Sequence, residues 1–178
     1  ITGYQTQPGS TAVGALAMDA STTSANNVAV GLDALGATTT GSSNVAIGSS
    51  AMKATISATN SVAVGKDALL AMTVGTGNTA VGNTALDALT TGTNNTAVGL
   101  DALGAATTGI DNTAVGMNAL LAMTVGTGNT AVGVASLDAL TTGTNNTAVG
   151  FGALGAATTA INNVAVGKDA LLANTVGT

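Results

Sequence analysis

Ten glycines recur every 17 residues without a slip: Gly14, Gly31, Gly48, Gly65, Gly82, Gly99, Gly116, Gly133, Gly150 and Gly167. An irregular globule varies the length of its loops; nine equal intervals do not. A short fixed period marks a solenoid, in which each repeat is one rung and neighbouring rungs bury each other's apolar face. The sequence is therefore explicit about architecture and nearly silent about ligands.

Counted from the glycine as position 1, the repeat reads G-x-x-A-L-x-A-x-T-T-G-x-N-N-T-A-V. Position 5 is always Leu or Met, including Leu69, Leu86, Leu103, Leu120, Leu137 and Leu154. Positions 7 and 16 are always Ala, and position 9 is Thr except at Ile56. Position 14 is Asn except at Ser61, and includes Asn44, Asn78, Asn95, Asn112, Asn129 and Asn146. Position 17 is always Val or Ile, including Val64, Val81, Val98, Val115, Val132 and Val149. From Gly65 onward the repeats also recur in blocks of three, as duplication of a three-repeat unit would leave them.

The N-T-A-V-G segment predicts a short strand, β-branched at positions 15 and 17 and closed by a glycine that tolerates a corner. Leu, Ala and Thr at positions 5, 7 and 9 alternate in the same sense and predict a second strand. The competing reading makes A-L-x-A one helical turn. T-T-G-x-N-N supplies the return turn. The expected fold is all-β: a parallel β-solenoid of about ten coils over residues 10–178, preceded by a partial segment at 1–9 and forming part of a longer array. At about 4.8 Å per rung the rod would be about 48 Å long.

Stacked rungs align equivalent residues in files. Asn at position 14 should form a buried amide ladder, each side chain bonding the next. Val at position 17 and Leu at position 5 should fill the interior. Ala at position 16 then points outward, and a strand apolar on both faces is usually covered on both. This predicts association with other copies, side by side as a symmetric trimer or end to end. It also predicts that Asp in place of Val98 or Val115 breaks the fold, whereas Asp101→Asn does little.

The segments Asn60-Ser61-Val62-Ala63-Val64-Gly65 and Asn44-Val45-Ala46-Ile47-Gly48 resemble the N-S-V-A-I-G motif of YadA-like heads in trimeric autotransporter adhesins. The N-T-A-V-G-x-x-A-L form at 112–120 is similar to repeats of phage tail fibres. The resemblance implies a left-handed β-roll, three chains about one axis, and exposure on a cell surface or virion. It also implies that position 15 (Val28, Val45, Val62, Val164) packs inside together with position 17. The repeat here is longer than the usual head repeat, and position 15 is more often Thr.

Composition narrows the chemistry. The 178 residues include eight Asp and three Lys but no Glu, Arg, His or Cys, and the net charge is −5. No basic patch offers a footprint for nucleic acid or an anionic membrane. No apolar run is long enough to span a bilayer. Without His, Cys, Glu or Arg, catalysis is not expected, nor is a cofactor. Asp33, Asp67, Asp101 and Asp169 share position 3, mostly on alternate rungs about 10 Å apart, too far to chelate one Ca²⁺ together. These and Asp19, Asp87 and Asp138 at position 6 read as solvated charges, as do Lys66-Asp67 and Lys168-Asp169. The N-N-T sequons at Asn94 and Asn145 are accounted for by the amide ladder.

The expected function is a non-enzymatic structural or adhesive extracellular fibre segment, with copies of itself and a host-surface or matrix ligand as partners. One alternative is a filament built by stacking solenoid ends. Another is ice binding by Thr at positions 9, 10 and 12. That pattern is broken by Val74, Val125, Ile110 and Ile161 and lies where a turn rather than a flat face is expected.

Overall fold

In the computed structural model, which describes residues 7–176, the backbone winds as a stack of rungs in 17-residue register. Ten three-residue strands, one per rung, form a single parallel sheet in chain order. They are β1 (Thr11–Val13), β2 (Val28–Val30), β3 (Val45–Ile47), β4 (Val62–Val64), β5 (Thr79–Val81), β6 (Thr96–Val98), β7 (Thr113–Val115), β8 (Thr130–Val132), β9 (Thr147–Val149) and β10 (Val164–Val166). Like pairs with like throughout: Thr96 with Thr113, Ala97 with Ala114, Val98 with Val115. A second column of parallel bridges runs along position 12, from Ala25 to Ile161. The array is thus a β-solenoid, and the described residues contain no helix.

The periodic glycine is required twice over. Its φ lies near +124 to +142°, which L side chains rarely adopt. From Gly14 to Gly150, a Cβ would also come within 2.3–2.6 Å of the next glycine's carbonyl oxygen. Neighbouring rungs touch backbone to backbone there, so any side chain would force them apart.

The asparagine ladder forms. Asn95 donates its backbone N–H to Asn78 Oδ1 at 3.0 Å, and its Nδ2 to the same oxygen at 3.1 Å and to the Gly109 carbonyl at 2.7 Å. Asn112, Asn129 and Asn146 repeat this arrangement. Position 13 is left-handed in every described rung, with φ of +54 to +72°. The turned backbone leaves the N–H of position 14 to the side-chain oxygen of the rung below. At the one interruption Ser61 Oγ takes over as acceptor for Asn78 N–H at 3.2 Å. The asparagines of the N-N-T sequons are not ladder residues. Asn94 and Asn145 occupy position 13, exposed, at φ +56 and +55°, and the ladder runs through Asn95 and Asn146.

The strand faces the opposite way from the sequence expectation. Ala at position 16 is buried, 0% exposed from Ala29 to Ala148. Positions 15 and 17 point outward: Val64, Val81, Val98, Val115 and Val132 are half-buried, and Val149 is 36% exposed. The inward placement of Val28, Val45, Val62 and Val164 is corrected likewise. The reason is space. Leu or Met at position 5, joined in four rungs by Met72, Leu89, Met123 or Leu140 at position 8, reaches in from the far wall; Leu86 and Leu89 are both 0% exposed. Only a methyl fits between them and the strand.

No second strand forms at positions 5–9, nor a helical turn. Positions 2–7 are consecutive turns, with φ of +52 to +54° at every Leu or Met of position 5. A left-handed Leu costs roughly 1–2 kcal/mol; complete burial of its side chain returns roughly 1.5–3 kcal/mol. The expected Leu file is therefore inside, on a backbone that propensity would not choose.

Two outcomes test this account. Gly99→Ala should destabilise by at least about 1–3 kcal/mol through its backbone conformation alone, with the contact to Gly116 added. Asn112→Ala should cost about 1–3 kcal/mol by leaving the N–H of Asn129 unpaired. Urea denaturation followed by far-UV circular dichroism measures both.

Candidate functional site

The rung has three outward surfaces, and charge is confined almost wholly to one. Ten of the eleven charged residues occupy positions 2, 3 and 6, on the turns; Asp111 at position 13 is the other. Positions 7–12 and 14–17 carry none.

On the turn arc the acidic residues have local duties. Asp33, Asp67, Asp101 and Asp169 have φ of +53 to +58°, the left-handed region that Asp tolerates through its short polar side chain. Thr84 donates its hydroxyl to Asp101 one rung on. Lys53 pairs with Asp33 at 3.0 Å, Lys66 with Asp67, and Lys168 with Asp169 at 3.6 Å. These pairs lie at the surface, where such bonds contribute about 0–1 kcal/mol. Lys168 also lies 6.0 Å from the Phe151 ring centre. Burial raises the Asp87 carboxyl above its ordinary range, and the neighbouring charge of Asp101 adds to the rise. Burial raises Asp138 too, with no neighbouring acid contributing. Among the described residues no three acidic groups converge as metal ligands.

The second surface is the outer strand face. Position 17 is Val or Ile in every rung, and position 15 is Thr in six strands and Val in four. Beside it at position 2 lie the exposed Leu32, Leu100, Met117, Val134 and Phe151. It is in register and uncharged at positions 15 and 17.

The third surface spans positions 9–12. Each Thr at position 9 from Thr73 to Thr158 donates its hydroxyl to the carbonyl of the same position one rung on, as Thr90 does to Thr107 at 3.0 Å. Its near invariance follows from this ladder. The sequence reading grouped it with the Thr of positions 10 and 12; the structure separates them. Positions 10 and 12 point outward around a buried position 11.

Position 8 was missed as a core file, although its signal is visible. Met72, Leu89, Met123 and Leu140 are fully buried there, and in each case position 11 is Gly. Where position 8 is Ser21, Thr55 or Ala157, position 11 carries Ser24, Ala58 or Ala160. Volume is exchanged between the two files in these seven rungs, while Thr38 and Ala106 also accompany Gly, at Gly41 and Gly109.

Comparison with protein-family models, curated proteins and solved structures finds no match.

The raised Asp87 and Asp138 set a pH dependence. A carboxyl raised in the folded state opposes folding when ionised, and that opposition fades as pH falls through its folded pKa. Asp87→Asn and Asp138→Asn should therefore raise the melting temperature at neutral pH and leave it unchanged well below the carboxylate range. Calorimetry at the two pH values checks the sign.

Proposed function

We propose that this chain is a non-enzymatic structural segment of an extracellular fibre, on a cell surface or virion, whose rods pack side by side through the outer strand face. The observation that carries this reading is that face: a continuous file of Val or Ile at position 17 beside Thr or Val at position 15, with no charge at either position and Lys66 and Lys168 alone charged on its position 2 edge. Large exposed apolar patches on soluble proteins mark interaction surfaces. Ten rungs by three residues make a strip about 48 Å by 10 Å. Two strips face to face would remove on the order of 1,000 Å² from water, the lower bound for a stable interface. Leu100, Met117, Val134 and Phe151 widen it on one edge.

The occupant that fits is a second copy. Its face has the same rung spacing and the same lack of charge, so each row meets a matching row. The likeness of the N-S-V-A-V-G segment at 60–65 to trimeric adhesin heads supports the same reading and the extracellular setting. The side-chain inventory, without His, Cys, Glu or Arg, supports a non-catalytic role.

Sedimentation velocity tests the proposal. The wild-type chain should run as a multimer, and a Val98→Lys, Val115→Lys double variant as a monomer with an unchanged β-type circular dichroism spectrum. Both positions face outward, so the variant folds. A monomeric wild type at high micromolar concentration overturns lateral packing. Indefinite fibrils that survive the double substitution assign assembly to the rod ends instead.

A further inference from the structure

We infer that the wall formed by positions 10 and 12 binds the surface of ice. This goes beyond the fibre reading, uses a different face and does not require association.

Three independent observations lead there. The first is the division of labour among the threonines. At position 9 the hydroxyl is spent on the next rung's carbonyl, as in Thr107 to Thr124 at 3.1 Å. On the same rungs the hydroxyls of Thr91, Thr108, Thr142 and Thr127 make no hydrogen bond within the described chain. Thr59 and Thr76 at position 12 do share a hydrogen bond at 3.1 Å; stability does not account for the other four. The second is register. Position 12 is bridged to its equivalent in the next rung from Ala25 through Ile161, and the bend at positions 9 and 10 is held in the same register by the position 9 hydroxyls. Exposed position 10, buried position 11 and outward position 12 alternate as in a strand. Where Thr occupies adjacent rungs, as at Thr91 and Thr108 or Thr127 and Thr144, hydroxyls and methyls therefore recur at the strand spacing of about 4.8 Å. The third is chemical uniformity. No charged residue occupies positions 7–12 in any rung.

Ice is an ordered lattice of hydrogen-bonding sites with a surface repeat close to that strand spacing. A surface that binds it must be rigid, must repeat at that distance, and must not hold a competing hydration shell. Charged groups fail the last condition; threonine meets all three. Its methyl settles into a gap of the lattice while its hydroxyl takes a water position. The threonine files are interrupted at position 10 by Ser57, Val74, Val125 and Val176 and at position 12 by Ala25, Ser42, Ile110 and Ile161. From Thr73 onward each interruption is Val or Ile, which keeps the β-branched shape and the methyl and loses only the hydroxyl, so the relief of the wall continues over these rungs; Ala25, Ser42 and Ser57 break it in the first three.

A protein partner suits this wall less well than the strand face does. Threonine is under-represented among residues that carry binding energy between proteins. The unbroken aliphatic file, position 17, lies on the strand face; here Val74, Ile110, Val125 and Ile161 stand singly among threonines.

The test is thermal hysteresis and ice-crystal shaping by the 178-residue chain, with three variants. The wild type should depress the freezing point below the melting point and facet the crystal. Thr108→Lys and Thr127→Lys, both exposed, should lose most of that hysteresis while keeping the wild-type circular dichroism spectrum. Val98→Lys on the strand face should retain it, whatever its effect on association. Absence of hysteresis and shaping in the wild type at millimolar concentration overturns the inference. So does equal hysteresis in the threonine variants. Binding of a glycan chain that is lost in those variants, with no effect on ice, assigns the wall to carbohydrate and overturns it as well.

Discussion

The structure depends on a backbone contact. At position 1 the rungs approach so closely that a Cβ would sit 2.3–2.6 Å from the next carbonyl oxygen. Held at that distance, every other position is forced into register with its equivalents. The asparagine side chains can then bond up the stack, and the threonines of position 9 can reach the carbonyl one rung on. Each file obeys its own rule, because a residue's nearest neighbours are the same position in the rungs on either side. A repeat of 17 residues thus carries independent constraints that a globular chain would spread over a whole domain.

The interior shows how little volume such a rod encloses. Ala fills positions 4 and 16 almost throughout, and the larger side chains come only from positions 5 and 8. Position 8 then trades volume with position 11. Leu89 and Leu140 face Gly92 and Gly143, where an added Cβ would meet a leucine methyl at 2.5 Å. The three-rung pattern Met-Leu-Ala at position 8, in Met72, Leu89 and Ala106 and again in Met123, Leu140 and Ala157, follows the same economy. The small Ala106 sits in a rung whose Gly109 faces the Met123 methyl of the rung above. Duplication explains how the block of three arose; packing explains why its members differ.

Three surfaces with different chemistry follow from one cross-section. Sharp turns need left-handed residues, and Asp serves there while carrying charge into water. The strand wall, pressed against a narrow core, turns its β-branched residues out. The wall between them presents hydroxyls and methyls in rows. Charge, β-branched aliphatic side chains and hydroxyls thereby fall on separate arcs of the same rung.

The sequence alone determined the period, the rung, the parallel register and the files, because a fixed interval admits only one stacking of equivalent residues. It also determined the buried asparagine ladder and the inward leucines, since only a stack satisfies such a column of amides. It did not determine which side of the strand faces in. Alternation separates Ala97 from Val98 but is blind to which is inside, and hydrophobicity alone favoured the wrong one. Nor could it show that Leu103 would adopt a left-handed backbone at φ +54°, against its own preference. Both were decided by the width of the closed rung. The far wall sends in the long side chains, and what remains opposite them is room for a methyl.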